Sequence, residues 1–166
     1  MFYEKVFKAF AEAELEYTVI GGIAVNLQGF ARATADLDIV IILNDEELNK
    51  FIFTVEQIGF IPRLPVNLKD LADSKKREEW IQQKSMKVFS VHNPKQIMET
   101  IDVMIDVPVE IDDIFQRRIW MDYQDIQIPV ASIPDLIALK ECAGRERDKI
   151  DIDALRKIEE IQHAKD

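Results

Sequence analysis

The chain has 166 residues, 48% apolar and 31% charged, a globular balance that argues against disorder or a fibre. Its 21 basic and 31 acidic side chains leave a formal charge of −10, so wrapping of duplex DNA is not expected. No apolar run approaches the ~18–20 residues of a membrane span, the start Met1-Phe2-Tyr3-Glu4-Lys5 is too charged for a signal peptide, and Cys142 is the only cysteine, so a cytoplasmic protein without disulfides or a membrane anchor is expected.

Residues 2–15 place Phe2, Val6, Phe7 and Phe10 on one face of a helix. Residues 17–20, Tyr-Thr-Val-Ile, predict a short strand that ends at Gly21-Gly22. A short helix over 23–28 is closed by Gly29. Residues 35–43 predict a strand whose apolar run marks it as buried and central, and Asn44-Asp45 caps a helix to about residue 57. Gly59, Pro62 and Pro65 break the pattern. A helix is expected over 68–82, with strands over 85–91 and 100–107, the second closed by Pro108. Two short strands are expected over 118–131, around Tyr123-Gln124. Pro134 marks a helix start served by Ser132 or Asp135, and the rest is helical to about residue 162, interrupted near Gly144. The pattern predicts one α/β or α+β domain over 1–166, with a core over about 1–131 and a helical part over about 132–166.

The segment 17–42 carries the chemistry. A strand running into two glycines and a helix brings backbone N–H groups and a positive dipole end close to a ligand, which makes a phosphate seat. A plain strand–turn–helix corner is the alternative. On a strand, Asp36 and Asp38 project from one face, while Leu37 and Ile39 point to the other. Two carboxylates at the rim of a buried strand repel each other and lose hydration, a cost that a divalent cation removes. At a solvated strand end they need no cation. Asp102, inside the apolar run Ile101-Asp102-Val103-Met104-Ile105, needs a partner. If its strand lies beside the first, Asp36, Asp38 and Asp102 can converge on two Mg²⁺ ions. Asp106 shares the face of Asp102 by period 2 and competes for the role.

Gly21-Gly22, then Arg32-Ala33-Thr34-Ala35-Asp36-Leu37-Asp38, then Ile101-Asp102-Val103 resemble the DNA-polymerase-β-like nucleotidyltransferase superfamily. The form looks most like its minimal nucleotidyltransferases, including the AbiEii-type toxin and antitoxin group. Lys140, Ala143, Arg145 and Arg147-Asp148 resemble the helical signature of that group. The resemblance implies a nucleotidyltransferase-like mixed sheet flanked by helices. It implies transfer of a nucleoside monophosphate from an NTP to a hydroxyl, with Mg²⁺ or Mn²⁺, two ions. The acceptor is a small molecule, a tRNA end or a protein side chain. Asp36, Asp38 and Asp102 would be catalytic and metal-binding, with Asp102 assisting deprotonation of the acceptor. Gly21 and Gly22 would seat the phosphates, although many relatives have serine where Gly22 stands. The rival reading is a catalytically inactive NTP- or protein-binding module with a protein partner. The complete set of three acids argues against it. A metal-dependent phosphohydrolase is a third reading, and the Gly-Gly helix start favours transfer over it.

Arg32 and Thr34 lie in the connection before the acidic strand, and Lys140 lies in the apolar helix face Leu136-Ile137-Leu139-Lys140. These are candidate phosphate contacts. For Arg32 the alternatives are orienting Asp36 or an ordinary surface position, and for Lys140 pairing with an aspartate or snorkelling to water. Arg145, Arg147 and Asp148 are expected to form ion pairs, and the i, i+3 pair Asp148 and Asp151 either to face the same cleft or, as the default, to face solvent. The stretch 69–95 has seven basic against four acidic side chains and contains Trp80. It either grips a nucleic-acid end or is a solvated helix face. His92 and His163 lack ligand spacing, and Cys142 is expected in the core.

Overall fold

The computed structural model describes residues 2–164; Met1, Lys165, Asp166 and the Phe2 side chain lie outside the described residues. Helix α1 (Phe2–Glu12) turns Val6, Phe7 and Phe10 inward, and all three are fully buried. Strand β1 (Tyr17–Ile20) is buried throughout, and helix α2 (Gly21–Leu27) begins on the first glycine, two residues before the predicted start. Strand β2 (Leu37–Ile41) is shorter than predicted, so Asp36 stands one residue ahead of it. Helix α3 (Asp45–Gln57) starts as expected, because the Asn44 side chain accepts from the Glu47 amide. Such a cap contributes about 1 kcal/mol.

The middle of the chain departs from expectation. A two-residue strand, β3 (Ile61–Pro62), forms among the breakers, where an edge position tolerates proline. The predicted helix 68–82 is split into a 3-10 turn over Leu68–Ala72 and helix α4 (Ser74–Lys84). Asp73 causes the break, because its side chain accepts from the amides of Lys75 and Lys76 and caps the second piece. Strands β4 (Val88–Asn93) and β5 (Gln96–Met104) form a hairpin, and β5 begins and ends earlier than predicted. Helix α5 (Ile111–Arg117), not foreseen, is too short for its one buried side chain, Ile114, to show a period. Strands β6 (Ile119–Tyr123) and β7 (Ile126–Val130) turn at Gln124 as expected. Helices α6 (Ile133–Ala143) and α7 (Glu146–His163) break at Gly144, and Ser132 is the cap that serves α6.

The strands make a mixed seven-stranded sheet in the order β3-β4-β5-β2-β1-β7-β6. The predicted central strand, β2, is at its centre, antiparallel to β1 and parallel to β5. On one face Tyr17 packs against Phe7 and Phe10, and Phe10 against Phe51, so α1 and α3 cover it. Leu37, Ile39 and Ile41 are fully buried on that side. Each such side chain contributes roughly 1.5–3 kcal/mol. The other face carries Asp38 and Asp102, with Leu136 and Leu139 of α6 beside them. No helix of the described residues is long and apolar enough to cross a membrane.

Candidate active site

Strand register builds the site. Asp38 pairs with Asp102 across β2 and β5, and Asp102 pairs with Ser90 across β5 and β4. Paired residues project from one face, so Ser90, Asp102 and Asp38 form a row on neighbouring strands about 4.8 Å apart. Asp36 is exposed just ahead of β2, where the Tyr3 hydroxyl donates to the Ala35 carbonyl at 2.8 Å and holds the backbone. Asp36, Asp38 and Asp102 line one cleft of about 360 Å³, together with Gly21, Gly22, Arg32, Thr34 and Lys140. Asp106 does not line it: β5 has ended, and its side chain is exposed.

The two glycines are needed for space. Gly21 has φ +67°, and a Cβ there would coincide with the Asp38 carboxylate. A Cβ on Gly22 would meet the Thr34 hydroxyl at 2.5 Å. The Gly22 amide hydrogen-bonds the Asp38 carboxylate. The backbone donor expected to hold phosphate thus already holds an anion of the chain.

Burial pushes the Asp38 carboxyl up to about 6, and the charges of Asp102 and Asp36 add to the rise, against the Gly22 amide and Arg145. Burial also raises Asp102, opposed by a hydrogen bond from Ser90 and by the charge of Arg63, while Asp36 adds to the rise. Asp102 Oδ1 is buried and has no hydrogen-bond partner among the described residues. An oxygen-only donor set with an orphaned buried acceptor and a carboxyl that resists ionisation fits a hard divalent cation. The described residues hold no ready-made cluster of three ligands; Asp38 bonds the Gly22 amide and Asp102 bonds Ser90.

The opposite wall is cationic. Lys140 is buried on α6, and its anion is internal: Nζ donates to Asp151 Oδ2 at 2.7 Å and lies 3.5 Å from Asp148 Oδ1. Arg32 Nη1 donates to the same Asp151 oxygen at 2.7 Å, so Arg32 pairs with Asp151 rather than Asp36. Arg145 pairs with Asp148 at 2.9 Å, the expected ion pair, and both it and Arg147 line the cleft. Burial works to raise Asp148, but the hydrogen bond and charge of Arg145, with Lys140, outweigh it and hold the carboxyl low.

Asp148 and Asp151 are buried, not solvated as expected. With Ile152 and Leu155 they make the i, i+3, i+4, i+7 stripe that α7 turns inward, a period that could have revealed them. Ser90 and Arg63 were also missed; the alternation Val88-Phe89-Ser90-Val91 is the signal for Ser90. Trp80 is buried and stacks on Phe89 at 5.5 Å, so it is a core residue rather than a platform for bases. Cys142 is exposed rather than in the core, because it lies on the outer side of α6. His92 is half-buried with Nδ1 unpartnered among the described residues, and His163 is exposed.

A mixed sheet that sets an aspartate pair on adjacent strands, opposite a cationic helical wall, defines the nucleotidyltransferase class. Residues 7–165 match the family described as "Nucleotidyl transferase AbiEii toxin, Type IV TA system", and the chain belongs to that family. Solved structures share the fold. The lincosamide antibiotic adenylyltransferase LnuA, bound to lincomycin, is 17% identical, with 95% of this chain and 96% of that one covered and a TM-score of 0.63. ANT(2")-Ia in complex with adenylyl-2"-tobramycin is 15% identical, with 98% and 93% covered and a TM-score of 0.58. Comparison with curated protein sequences finds no match.

Proposed function

We propose that this nucleotidyltransferase moves a nucleoside monophosphate from an NTP to a hydroxyl of its acceptor, using two Mg²⁺ or Mn²⁺ ions held by Asp36, Asp38 and Asp102. The observation that carries the reading is the register pair Asp38–Asp102, with Asp102 Oδ1 left unpartnered among the described residues, in the cleft that Gly21 and Gly22 border. When bound, the ions would neutralise charge on the attacking and leaving oxygens of an in-line displacement. The chain's own groups do the rest. The Gly21 amide and the side chains of Arg32, Thr34 and Lys140 hold the triphosphate, while the Gly22 amide keeps Asp38 in place beside it. Asp102 takes the acceptor's proton. A bond forms from the acceptor oxygen to the α-phosphorus as the bond to the bridging oxygen breaks, and pyrophosphate leaves with that electron pair. The chain works as one unit, with α6 and α7 closing the cleft, and an NTP substrate suits the cytoplasm.

The test is incubation with α-labelled NTPs, Mg²⁺ and a cell extract, with label then sought in small molecules, RNA and protein. Wild type should transfer label, and the labelled fraction identifies the acceptor class. Asp102→Asn should slow single-turnover transfer roughly 10²-fold or more, about 2.7 kcal/mol of barrier, with little loss of NTP affinity. The double variant Asp36→Asn/Asp38→Asn should lose metal-dependent NTP binding. Unaltered transfer in Asp102→Asn would overturn the mechanism and leave the inactive binding module as the better reading.

A further inference from the structure

We infer that Asp151, which stands behind the cleft wall rather than in it, is the positioning residue that sets Arg32 and Lys140 side by side for the phosphates. The inference rests on the proposed reading, in which these two cations hold the triphosphate. Three separate elements meet at one atom. Arg32 comes from the connection before β2, Lys140 from α6 and Asp151 from α7. Both cationic nitrogens donate to Asp151 Oδ2 at 2.7 Å, so they stand no more than twice that distance apart. Two like charges that close, in a wall where the Lys140 and Asp151 side chains are 7% and 3% exposed, repel unless an anion lies between them. Asp151 supplies that anion. It uses one donor of each cation, and Arg32 keeps four N–H donors for other partners.

Arg32 is held twice. Its backbone N–H donates to Asn26 Oδ1 and its carbonyl accepts from Asn26 Nδ2, each at 2.9 Å, while Asp151 holds its guanidinium. Nη1 thereby lies 3.4 Å from the position a Cβ on Gly22 would occupy, beside the glycine corner. Asp151 belongs to the buried stripe of α7, with Asp148, Ile152 and Leu155, and its two contacts reach out of that helix to α6 and to the connection before β2. What the Asp151 contacts fix is the spacing of two cations that line the cleft.

The sign of one effect decides between this role and a plain charge effect. A carboxylate near a triphosphate repels it, so a residue acting through charge alone would strengthen binding when neutralised. A positioning residue would weaken it. The experiment compares wild type, Asp151→Asn and Asp151→Glu by calorimetric titration with each of the four common NTPs, and with inorganic tripolyphosphate, all with Mg²⁺ and below each variant's melting transition. Asp151→Asn should bind both ligand types roughly tenfold or more weakly, the scale of a lost charged hydrogen bond. Asp151→Glu keeps the charge but displaces the shared oxygen; it should also weaken both. If Asp151→Asn fails to fold, Asp151→Glu decides. Unchanged or tighter binding in the folded variants overturns the inference, as does weakening confined to NTP with tripolyphosphate unaffected. A wild type that binds no NTP refutes the proposed function itself, which separates the two failures.

Discussion

At Gly21 the lack of a side chain decides where Asp38 stands. The residue has φ +67°, and the space of its missing Cβ is taken by the Asp38 carboxylate. Gly21→Ala therefore carries two penalties, a left-handed backbone worth about 1–2 kcal/mol and displacement of Asp38 from the Gly22 amide. Gly59 is the control, since it has φ +84° with nothing within 4 Å of its Cβ position. Chemical denaturation should show both alanine variants destabilised, Gly21→Ala the more. Only Gly21→Ala should lose Mg²⁺-dependent NTP binding. Equal binding by the two variants would show that the site does not depend on where Asp38 stands.

At the scale of elements, the basic stretch 69–95 proves to be partly a structural tie. Arg77 of α4 is buried; its Nη1 donates to the Leu71 carbonyl of the 3-10 turn at 2.7 Å, and its Nη2 to the Leu43 carbonyl beyond β2 at 3.4 Å. One guanidinium thus joins three pieces of chain. Arg77→Met keeps much of the apolar stem but removes the donor to the Leu71 carbonyl in a buried contact, a loss of about 1–3 kcal/mol. Lys75→Met, exposed on the same helix, should stay within about 0.5 kcal/mol of wild type. Urea midpoints measure both. An Arg77→Met protein as stable as wild type would mean that the tie contributes nothing.

For the whole molecule, covering both faces of β2 gives stability a pH dependence. Asp38, raised to about 6 from 3.8, favours the folded state while protonated. That contribution is full below the unfolded value and is lost as pH rises through about 6, with an amplitude up to ~3 kcal/mol. Asp102 acts in the same direction. Asp148, held low, contributes at higher pH and loses its contribution as pH falls through its folded value. Metal-free wild type should therefore lose stability between about pH 4.5 and about pH 7.5 by an increment that Asp38→Asn removes. Added Mg²⁺ favours ionised carboxylates, so it should raise the melting temperature more at the higher pH. Matching pH profiles for wild type and Asp38→Asn would rule out a raised Asp38.

The sequence by itself determined the strand–glycine–helix corner, the central β2, the shared face of Asp38 and Val40, the Asn44 cap and the break at Gly144. Each depends on a few neighbouring residues: a period of two or 3.6, a side-chain cap, a missing Cβ. The order of the motifs was equally legible, and so was the family. Only the tertiary structure decided that β5 ends before Asp106, which leaves Asp102 in the row with Asp38 and Ser90. It alone placed Lys140 and Arg32 on one oxygen of Asp151. The physical reason is common to these cases. Asp151 and Lys140 are buried together because each brings the other's opposite charge from a different helix. Register and burial are therefore properties of contacts between distant segments, which no local window of sequence contains.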